Sequence, residues 1–259
     1  MILLGRKNLK ERWDTVHTLR VFSRVSKADF KGGLPIVLVH GLGVSSRYMV
    51  PLATEWAAAH PVYVPDLPGY GRSQKPQDVP DVRELASLLR EWLRVVGIER
   101  AAFVGNSMGC QVIVELAHID ASCIVAVAML GPTMDQTVAS RLSHVAGLLK
   151  DQFREPPMLV PLQAFDYLHN GPIRTIRTFI HATRHDMLKR ARQLRVPCLI
   201  LRGEHDEIVS QKWVEKLAKG IPRAVLRELP GAGHALNYNS AETVAPLIEG
   251  FWQECGILP

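Results

Sequence analysis

Six short apolar runs alternate with segments of helical periodicity along the chain. The apolar runs lie near residues 36–40, 61–65, 101–105, 123–130, 197–202 and 224–229. The helix-period segments lie near residues 47–59, 82–96, 108–119, 210–219 and 241–254. Apolar strands that alternate with helices are typical of a parallel sheet covered by helices on both faces. The pattern therefore predicts one compact α/β unit.

Two segments depart from this alternation. Residues 16–25 alternate apolar and polar positions well enough for an antiparallel pair of edge strands. Between Pro132 and about Arg192 the strand pattern stops, and helical stretches are broken by prolines. A segment of this length is too long for a plain loop in a compact domain. We therefore predict a helical insertion over residues 132–192, and a core domain formed by residues 1–131 and 193–259.

The candidate nucleophile is Ser107. It lies in the segment Gly105–Gly109, which reads Gly-Asn-Ser-Met-Gly and joins the run near 101–105 to the helical segment that follows. A serine flanked by glycines between a strand and a helix is typical of a nucleophile elbow, in which strand and helix leave no room for side chains at the two glycines. A glycine-rich turn with a helix-capping serine would give the same letters. The nucleophile reading also requires a base and an acid.

A histidine and an aspartate follow at the ends of two later strands. His234 lies in a glycine-rich loop after the run near 224–229, and Asp206 lies in the loop after the run near 197–202. Taken singly, these residues could be a surface histidine and a helix-capping acid. The order serine, aspartate, histidine at successive strand ends is, however, the order of one particular fold. Asp135, which follows the strand that ends near Leu130, is a second candidate for the acid.

With this order of residues the chain resembles the α/β-hydrolase family, and the resemblance extends from about Pro35 to Trp252. Two further segments carry it. His40–Gly43 reads His-Gly-Leu-Gly after a strand and resembles the oxyanion loop of the family. Asp66–Ser73 reads Asp-Leu-Pro-Gly-Tyr-Gly-Arg-Ser and is similar to the D-x-P-G-x-G-x-S turn of the family. The resemblance implies a mostly parallel eight-stranded sheet with helices on both faces and a helical cap inserted after strand 6.

The resemblance also implies a catalytic triad. Ser107 is the expected nucleophile, His234 the expected general base and Asp206 the expected acid that orients the imidazole. Asp206 is preferred to Asp135 because its setting, Gly203-x-x-Asp206-x-x-Val209, matches the family pattern.

The oxyanion hole is expected to consist of two backbone N–H groups. The resemblance points to Met108, directly after the nucleophile, and to Leu42 in the oxyanion loop, with Gly43 as a near alternative to Leu42. His40 is expected to have a structural role in that loop.

By the same resemblance, residues 132–192 are expected to roof the serine and shape the substrate pocket. The apolar residues that could line this pocket are Met158, Leu159, Leu162, Phe165, Leu168, Ile176 and Phe179. Any one of them could instead pack the insertion onto the core.

The reaction expected from the family is hydrolysis of carboxylic esters of small to medium, largely apolar substrates. The Gly-Asn-Ser-Met-Gly elbow also resembles that of the carbon–carbon hydrolases that cleave vinylogous diketone ring-fission products. Those enzymes usually carry a tryptophan after the catalytic histidine, whereas this chain has Ala235 there, which favours the esterase reading. An acyltransferase or lyase, or a non-catalytic ligand receptor on the same fold, are further alternatives.

Composition and charge narrow the range of possible partners, cofactors and cellular locations. The net charge is +6, but lysine and arginine are spread along the chain without a block or a recognisable motif, so we expect no nucleic-acid partner. No apolar run is long enough to span a bilayer, so stable membrane insertion is not expected, and the N-terminus lacks the pattern of a signal peptide, which favours a cytoplasmic location. The four cysteines are scattered without metal spacing. No metal and no organic cofactor is implied, and the oligomeric state is left open.

Overall fold

A computed structural model of the chain describes residues 8–30, 32–134 and 159–258. The strands are β1 (Leu9–Val16), β2 (Leu19–Ser26), β3 (Ile36–Val39), β4 (Val62–Pro65), β5 (Ala101–Asn106), β6 (Ile124–Leu130), β7 (Cys198–Gly203) and β8 (Ala224–Leu229). The helices are α1 (Ser46–Trp56), α2 (Val82–Val96), α3 (Met108–Ile119), α4 (Leu159–Asn170), α5 (Pro172–Arg184), α6 (Met187–Ala191), α7 (Gln211–Gly220), α8 (Leu236–Asn239) and α9 (Ala241–Glu254).

The eight strands form one sheet in the order β1-β2-β4-β3-β5-β6-β7-β8. The strands β4, β3, β5, β6, β7 and β8 are parallel, and β2 runs antiparallel to both β1 and β4. The predicted fold class is therefore confirmed. The carboxyl ends of the parallel strands lie along one edge of the sheet, which is where such folds carry their sites.

The antiparallel edge pair begins earlier than the sequence pattern suggested. It occupies Leu9–Val16 and Leu19–Ser26 rather than residues 16–25, with Trp13 opposite Phe22. β1 is an edge strand, and most of its residues are exposed or half-buried. Because of its charged residues, β1 lacks the alternation of apolar and polar positions that identifies a half-buried strand in a sequence.

The sheet divides the apolar core into two layers because successive side chains of a strand point to opposite faces. Val37 and Phe103 belong to a cluster with residues of α2, α3 and α7. Ile36 and Val104, one position away along the same strands, belong to a second cluster with residues of α1 and α9. The central strands are thus buried on both faces, which explains why they read as unbroken apolar runs in the sequence.

Asp66, the first residue of the D-x-P-G-x-G-x-S turn, is buried and links this turn to the start of α1. One carboxylate oxygen accepts a hydrogen bond from the backbone N–H of Ser46 at 2.6 Å, and the other accepts one from the N–H of Arg72 at 2.7 Å. The hydroxyl of Ser73 donates to the carbonyl oxygen of Asp66 at 2.6 Å. The aspartate and the serine of this turn are therefore structural, and they fix the loop after β4 against the loop after β3.

The helices α4, α5 and α6 lie between β6 and β7 in the chain. Where this segment rejoins the core, it contacts a buried acidic residue on α3. Glu115 pairs with Arg190 (Oε2–Nε 3.2 Å) and lies 3.8 Å from the Nε2 atom of His185. These polar contacts join the end of the inserted helices to the helix that follows Ser107.

The cysteines are free, as expected from their scatter, and three of them are buried. Burial raises the pKa of the Cys198 thiol to about 12 and that of Cys123 to about 11. In the described ranges, no helix is long and apolar enough to cross a membrane.

The buried position of His185 predicts a pH dependence of stability. Desolvation and then the charge of Arg190 lower the pKa of His185 from 6.5 to about 4. The unfolded chain therefore takes up a proton that the folded chain does not, so stability is complete above pH 6.5 and is lost as the pH falls toward 4. One such proton changes the unfolding free energy by at most about 1.4 kcal/mol per pH unit.

Urea denaturation of the wild-type protein and of His185→Gln across this window measures the effect. We expect a flatter pH dependence for the variant, because glutamine does not titrate. Parallel curves for the two proteins would show that His185 does not contribute.

Candidate active site

Ser107 lies between β5 and α3 in a backbone conformation that a non-glycine residue rarely adopts. Its φ is 56° and its ψ is −122°. Its backbone N–H donates to the carbonyl oxygen of Leu130 at the end of β6 at 2.9 Å, and its side chain is half-buried. Strained conformations of this kind cluster at functional sites, and a serine on a sharp strand-to-helix turn presents its hydroxyl at the edge of the sheet.

The glycines on either side of Ser107 are required by close packing of the backbone. A Cβ atom on Gly109 would lie 2.2 Å from the carbonyl oxygen of Val39, in β3. A Cβ atom on Gly105 would lie 2.8 Å from the backbone nitrogen of Cys110, in α3. The predicted lack of space is present at both positions, at Gly105 because β5 and α3 approach each other closely and at Gly109 because α3 packs against β3.

The side chains of His234 and Asp206 meet at the same edge of the sheet. The Nδ1 atom of His234 lies 2.8 Å from Oδ2 of Asp206, and both side chains are almost completely buried. The other oxygen of Asp206 accepts hydrogen bonds from the N–H groups of Ile208 at 2.8 Å and Val209 at 2.9 Å. Because an ionised carboxylate only accepts, Nδ1 of His234 carries the proton. The Nε2 atom is then the nitrogen that can take a proton from a hydroxyl.

Arg202, at the end of β7, holds the loop that carries Asp206, and the sequence analysis missed it. Its guanidinium donates to the carbonyl oxygens of Val209 at 2.7 Å, Asp206 at 3.1 Å and Glu204 at 3.3 Å. It also pairs with Glu228 on β8 at 2.8 Å. The available signal in the sequence was an arginine at the end of an otherwise apolar strand. A charge that is buried at such a place must be paired.

Gly131 brings the serine loop and the histidine loop together. It directly follows Leu130, whose carbonyl oxygen accepts the hydrogen bond from Ser107. A Cβ atom on Gly131 would lie 2.8 Å from Nδ1 of His234 and 3.1 Å from Oδ2 of Asp206. The three predicted residues therefore lie on loops that follow β5, β7 and β8, and the loop after β6 packs between them.

The two predicted oxyanion donors lie on segments that flank Ser107. Met108 is the first residue of α3, where a backbone N–H has no partner within the helix. The loop that carries Leu42 passes directly beside Ser107, since a Cβ atom on Gly41 would lie 3.1 Å from the Cβ atom of Ser107. The positive end of the α3 dipole adds to the attraction for a negative oxygen.

The sequence profile of the alpha/beta hydrolase family matches residues 36–247, which is most of the chain. The chain belongs to the alpha/beta hydrolase family. An uncharacterized protein of Mycobacterium tuberculosis is 32% identical over 136 residues, which cover 51% of this chain and 38% of that protein. The matched part of the chain therefore spans well under half the length of that relative. The AB hydrolase superfamily protein YisY of Bacillus subtilis is 25% identical over 250 residues, which cover 86% of this chain and 93% of that protein.

A solved structure shows the same fold as this chain. The structure of a thermophilic esterase from Thermogutta terrifontis superposes with a TM-score of 0.78 at 20% identity and covers 95% of this chain and 98% of that chain. At this level of identity the likeness concerns the fold alone.

His40, in the loop after β3, is hydrogen-bonded to backbone groups at both ring nitrogens. The N–H of Leu67 donates to Nε2 at 3.0 Å, so the proton is on Nδ1, which donates to the carbonyl oxygen of Gly41 at 2.9 Å. Burial lowers the pKa of His40 below its usual value, so the neutral form is favoured. This arrangement agrees with the structural role expected from the sequence.

Thr133 is a second residue that the sequence analysis missed. Its hydroxyl oxygen lies 3.4 Å from that of Ser107, and its loop is held by a hydrogen bond from the indole N–H of Trp213 to the carbonyl oxygen of Pro132 at 2.8 Å. Its position three residues after β6, on the edge that carries the other loops, was the available signal. The alternative acid, Asp135, lies outside the described residues, as does Met158.

The inserted helix α4 contacts the oxyanion loop through polar side chains. Asn170 donates to the carbonyl oxygen of Gly43 at 2.7 Å and accepts from the N–H of Gly71 at 2.9 Å. Asp166 accepts from the hydroxyl of Ser45 at 2.7 Å and pairs with Arg47. These contacts place α4 directly on the loop that follows β3.

The apolar residues predicted to line a pocket separate into two groups. Leu159 is buried, and Leu162 and Phe179 are partly buried against the core clusters. Phe165, Leu168 and Ile176 are instead exposed, so the expectation that they face the pocket was wrong for these residues. The buried polar residues of the same helices determine which side faces the core. In residues 8–30, 32–134 and 159–258, no group of three or more histidine, cysteine, aspartate or glutamate side chains is placed to hold a metal ion.

The contact of Gly131 with the imidazole predicts a specific loss of rate. A methyl group at Gly131 must displace His234 or Asp206, and a misplacement of about 1 Å in such a site costs about 10²-fold in rate. We therefore expect Gly131→Ala to lower kcat by about that factor on an ester substrate.

Gly231→Ala is the matched control. Gly231 also has a positive φ, of 69°, and lies in the loop that carries His234, but a Cβ atom there has nothing within 4 Å. The control should lose about 1 kcal/mol of stability and keep its rate. An equal loss of rate in both variants would show that backbone strain, rather than contact with the imidazole, is responsible.

Proposed function

We propose that this hydrolase cleaves carboxylic esters through an acyl-enzyme formed on Ser107. The observation that carries the proposal is the pairing of His234 with Asp206 at the strand edge where Ser107 is held in its strained turn. A serine hydroxyl is a poor nucleophile by itself and needs an oriented base. The buried, doubly hydrogen-bonded carboxylate of Asp206 supplies that orientation.

In the first half of the reaction, the Oγ atom of Ser107 attacks the ester carbonyl carbon while Nε2 of His234 takes the hydroxyl proton. The imidazolium that forms is stabilised by the negative charge of Asp206, 2.8 Å from Nδ1. The tetrahedral intermediate then collapses, the bond to the alcohol oxygen breaks, and His234 returns the proton to that oxygen. The acyl group remains on Ser107.

The negative oxygen of the intermediate is assigned to the backbone N–H groups of Met108 and Leu42. Both belong to backbone that is fixed before substrate binds, Met108 by α3 and the Leu42 loop by the hydrogen bonds of His40 and Asn170. Fixed donors stabilise developing charge without reorganising, and the loss of one such donor costs about 10²- to 10³-fold in rate in comparable sites. Gly43 is an alternative donor next to Leu42.

In the second half, water replaces the alcohol. His234 takes a proton from the water molecule as its oxygen attacks the acyl carbon, and then returns the proton to Oγ of Ser107. The acid is released and the serine is regenerated. The whole cycle needs only these side chains and the backbone donors, and no step calls on a metal or an organic cofactor.

The substrate class follows from the inserted helices. We assign residues 132–192 to a cap domain over the core formed by residues 1–131 and 193–259, because α4 lies on the loop beside Ser107. Leu159, Leu162 and Phe179 are buried or half-buried against the core clusters, and we assign them to the apolar walls of the substrate pocket. Apolar walls with few polar groups favour acyl chains of small to medium length.

Turnover of p-nitrophenyl esters from acetate to decanoate tests this function. Ser107→Ala should lower kcat by about 10⁶-fold, since no other group can form the acyl-enzyme. Asp206→Asn should lower it by about 10⁴-fold, because an amide no longer fixes the imidazole tautomer. Release of p-nitrophenolate measures both.

Exposed residues of the same types provide controls. Ser122→Ala and Asp29→Asn should keep the wild-type rate, because neither residue is near the proposed triad. Ester turnover that persists in Ser107→Ala would refute the mechanism. Rapid cleavage of a ring-fission dienoate together with weak esterase activity would instead identify the protein as a carbon–carbon hydrolase.

A further inference from the structure

The helix α4 has its polar side chains buried and its apolar side chains exposed. Gln163, Asp166 and Asn170 are each at least nine-tenths buried. On the opposite face, Val160, Phe165 and Leu168 are 39%, 53% and 77% exposed. An ordinary surface helix shows the reverse arrangement, with apolar residues against the core.

The helix α5 continues the same inverted pattern. Ile173 and Ile176 are 70% and 60% exposed, while Thr178 and Ala182 are fully buried. Only Gly171 separates α4 from α5, so Leu168 and Ile173 flank one tight turn. We call the exposed residues Val160, Phe165, Leu168, Ile173 and Ile176 the outer apolar face.

Buried polar contacts keep this face directed outward. Asp166 is paired with Arg47, and Asn170 bonds to backbone groups of two loops of the core. On α5, Thr178 accepts a hydrogen bond from the hydroxyl of Tyr70 at 2.5 Å. Turning either helix to bury its apolar side chains would leave these groups unpaired in the interior, which is costly. The outer apolar face is therefore a built feature of the structure.

The charges around this face are positive. Asp166 is the only acidic residue between positions 159 and 184, and it is buried and already paired with Arg47. Arg177 and Arg184 are exposed and follow Ile173 at helical spacing on α5. An apolar strip bordered by arginine is the chemistry that binds the boundary between headgroups and acyl chains in an anionic lipid layer.

We propose that the outer apolar face docks on the surface of an anionic lipid membrane. The apolar side chains enter the headgroup region, and Arg177 and Arg184 bind lipid phosphates. A second copy of the chain fits this face less well, because a symmetric contact would bring the arginines of two equally basic faces together. Docking is independent of the ester chemistry, so it can be tested separately from it.

Cosedimentation with lipid vesicles provides the test. The wild-type protein should bind vesicles of mixed phosphatidylcholine and phosphatidylglycerol more tightly than vesicles of phosphatidylcholine alone, and added salt should weaken the binding. Leu168→Ser/Ile173→Ser should reduce partitioning by about tenfold, because two exposed apolar side chains no longer enter the lipid. Arg177→Gln/Arg184→Gln should reduce it by about fivefold per charge on anionic vesicles only.

Matched controls lie on other faces of the molecule. Val95→Ser/Val225→Ser removes two exposed apolar side chains from α2 and β8, and Lys212→Gln/Lys216→Gln removes two charges from α7. Both controls should bind lipid like the wild-type protein, and all variants should hydrolyse soluble p-nitrophenyl acetate at one rate, which also confirms folding.

Three results would overturn the proposal. The wild-type protein could fail to bind anionic vesicles, or the control pairs could lose as much binding as the variants of the outer apolar face. The third is a concentration-dependent dimer in size-exclusion chromatography that Leu168→Ser/Ile173→Ser abolishes, which would assign the face to a second copy. If Ser107→Ala loses ester turnover but binds vesicles normally, the result supports membrane docking independently of the proposed ester hydrolysis.

Discussion

The backbone of Ser107 is held in a conformation that costs of order 1–3 kcal/mol, and the geometry of the site depends on it. The strain persists because β5 and α3 meet closely at Gly105 and α3 packs against β3 at Gly109, so that neither glycine has space for a side chain. The same contact presses Gly109 against the carbonyl oxygen of Val39, which lies two residues before Gly41. Fixing the turn at Ser107 therefore also fixes the loop that carries the proposed oxyanion donor Leu42.

Asp206 and His234, the proposed acid and base, are positioned at this turn by separate contacts. Arg202 joins three carbonyl oxygens of the Asp206 loop to β8, so the carboxylate is positioned by a buried guanidinium rather than by regular secondary structure. Gly131 then leaves just enough room for the imidazole of His234. The inserted helix α4 adds a third support, because Asn170 binds the oxyanion loop and the turn after β4 at once. The helix α4 is thus linked by hydrogen bonds to the loop beside Ser107.

The sequence predicts this fold well where a strand is buried on both faces of the sheet or where a helix has clear end signals. Central strands such as β5 are enclosed on both faces and read as continuous apolar runs, and α2 begins at a reciprocal Asp81–Glu84 capping box and ends at Gly97. Prediction failed where burial is one-sided or inverted. β1 was placed too late because its edge residues are charged, and Leu168 was directed inward because apolar residues are normally buried. The contact of Thr133 with Ser107 joins two loops of the same sheet edge, and the position of Thr133 just after β6 was the only signal for it that the sequence offered.

The central claim is that Ser107 becomes acylated during turnover. The most direct measurement is a rapid acid quench of the enzyme mixed with p-nitrophenyl acetate, followed by mass spectrometry of the intact chain and of its peptides. The structure predicts one acetyl group per chain, located on Ser107 and lost again as the substrate is consumed. Turnover without any adduct, or an adduct on a different residue that forms and decays at the rate of turnover, would contradict the account.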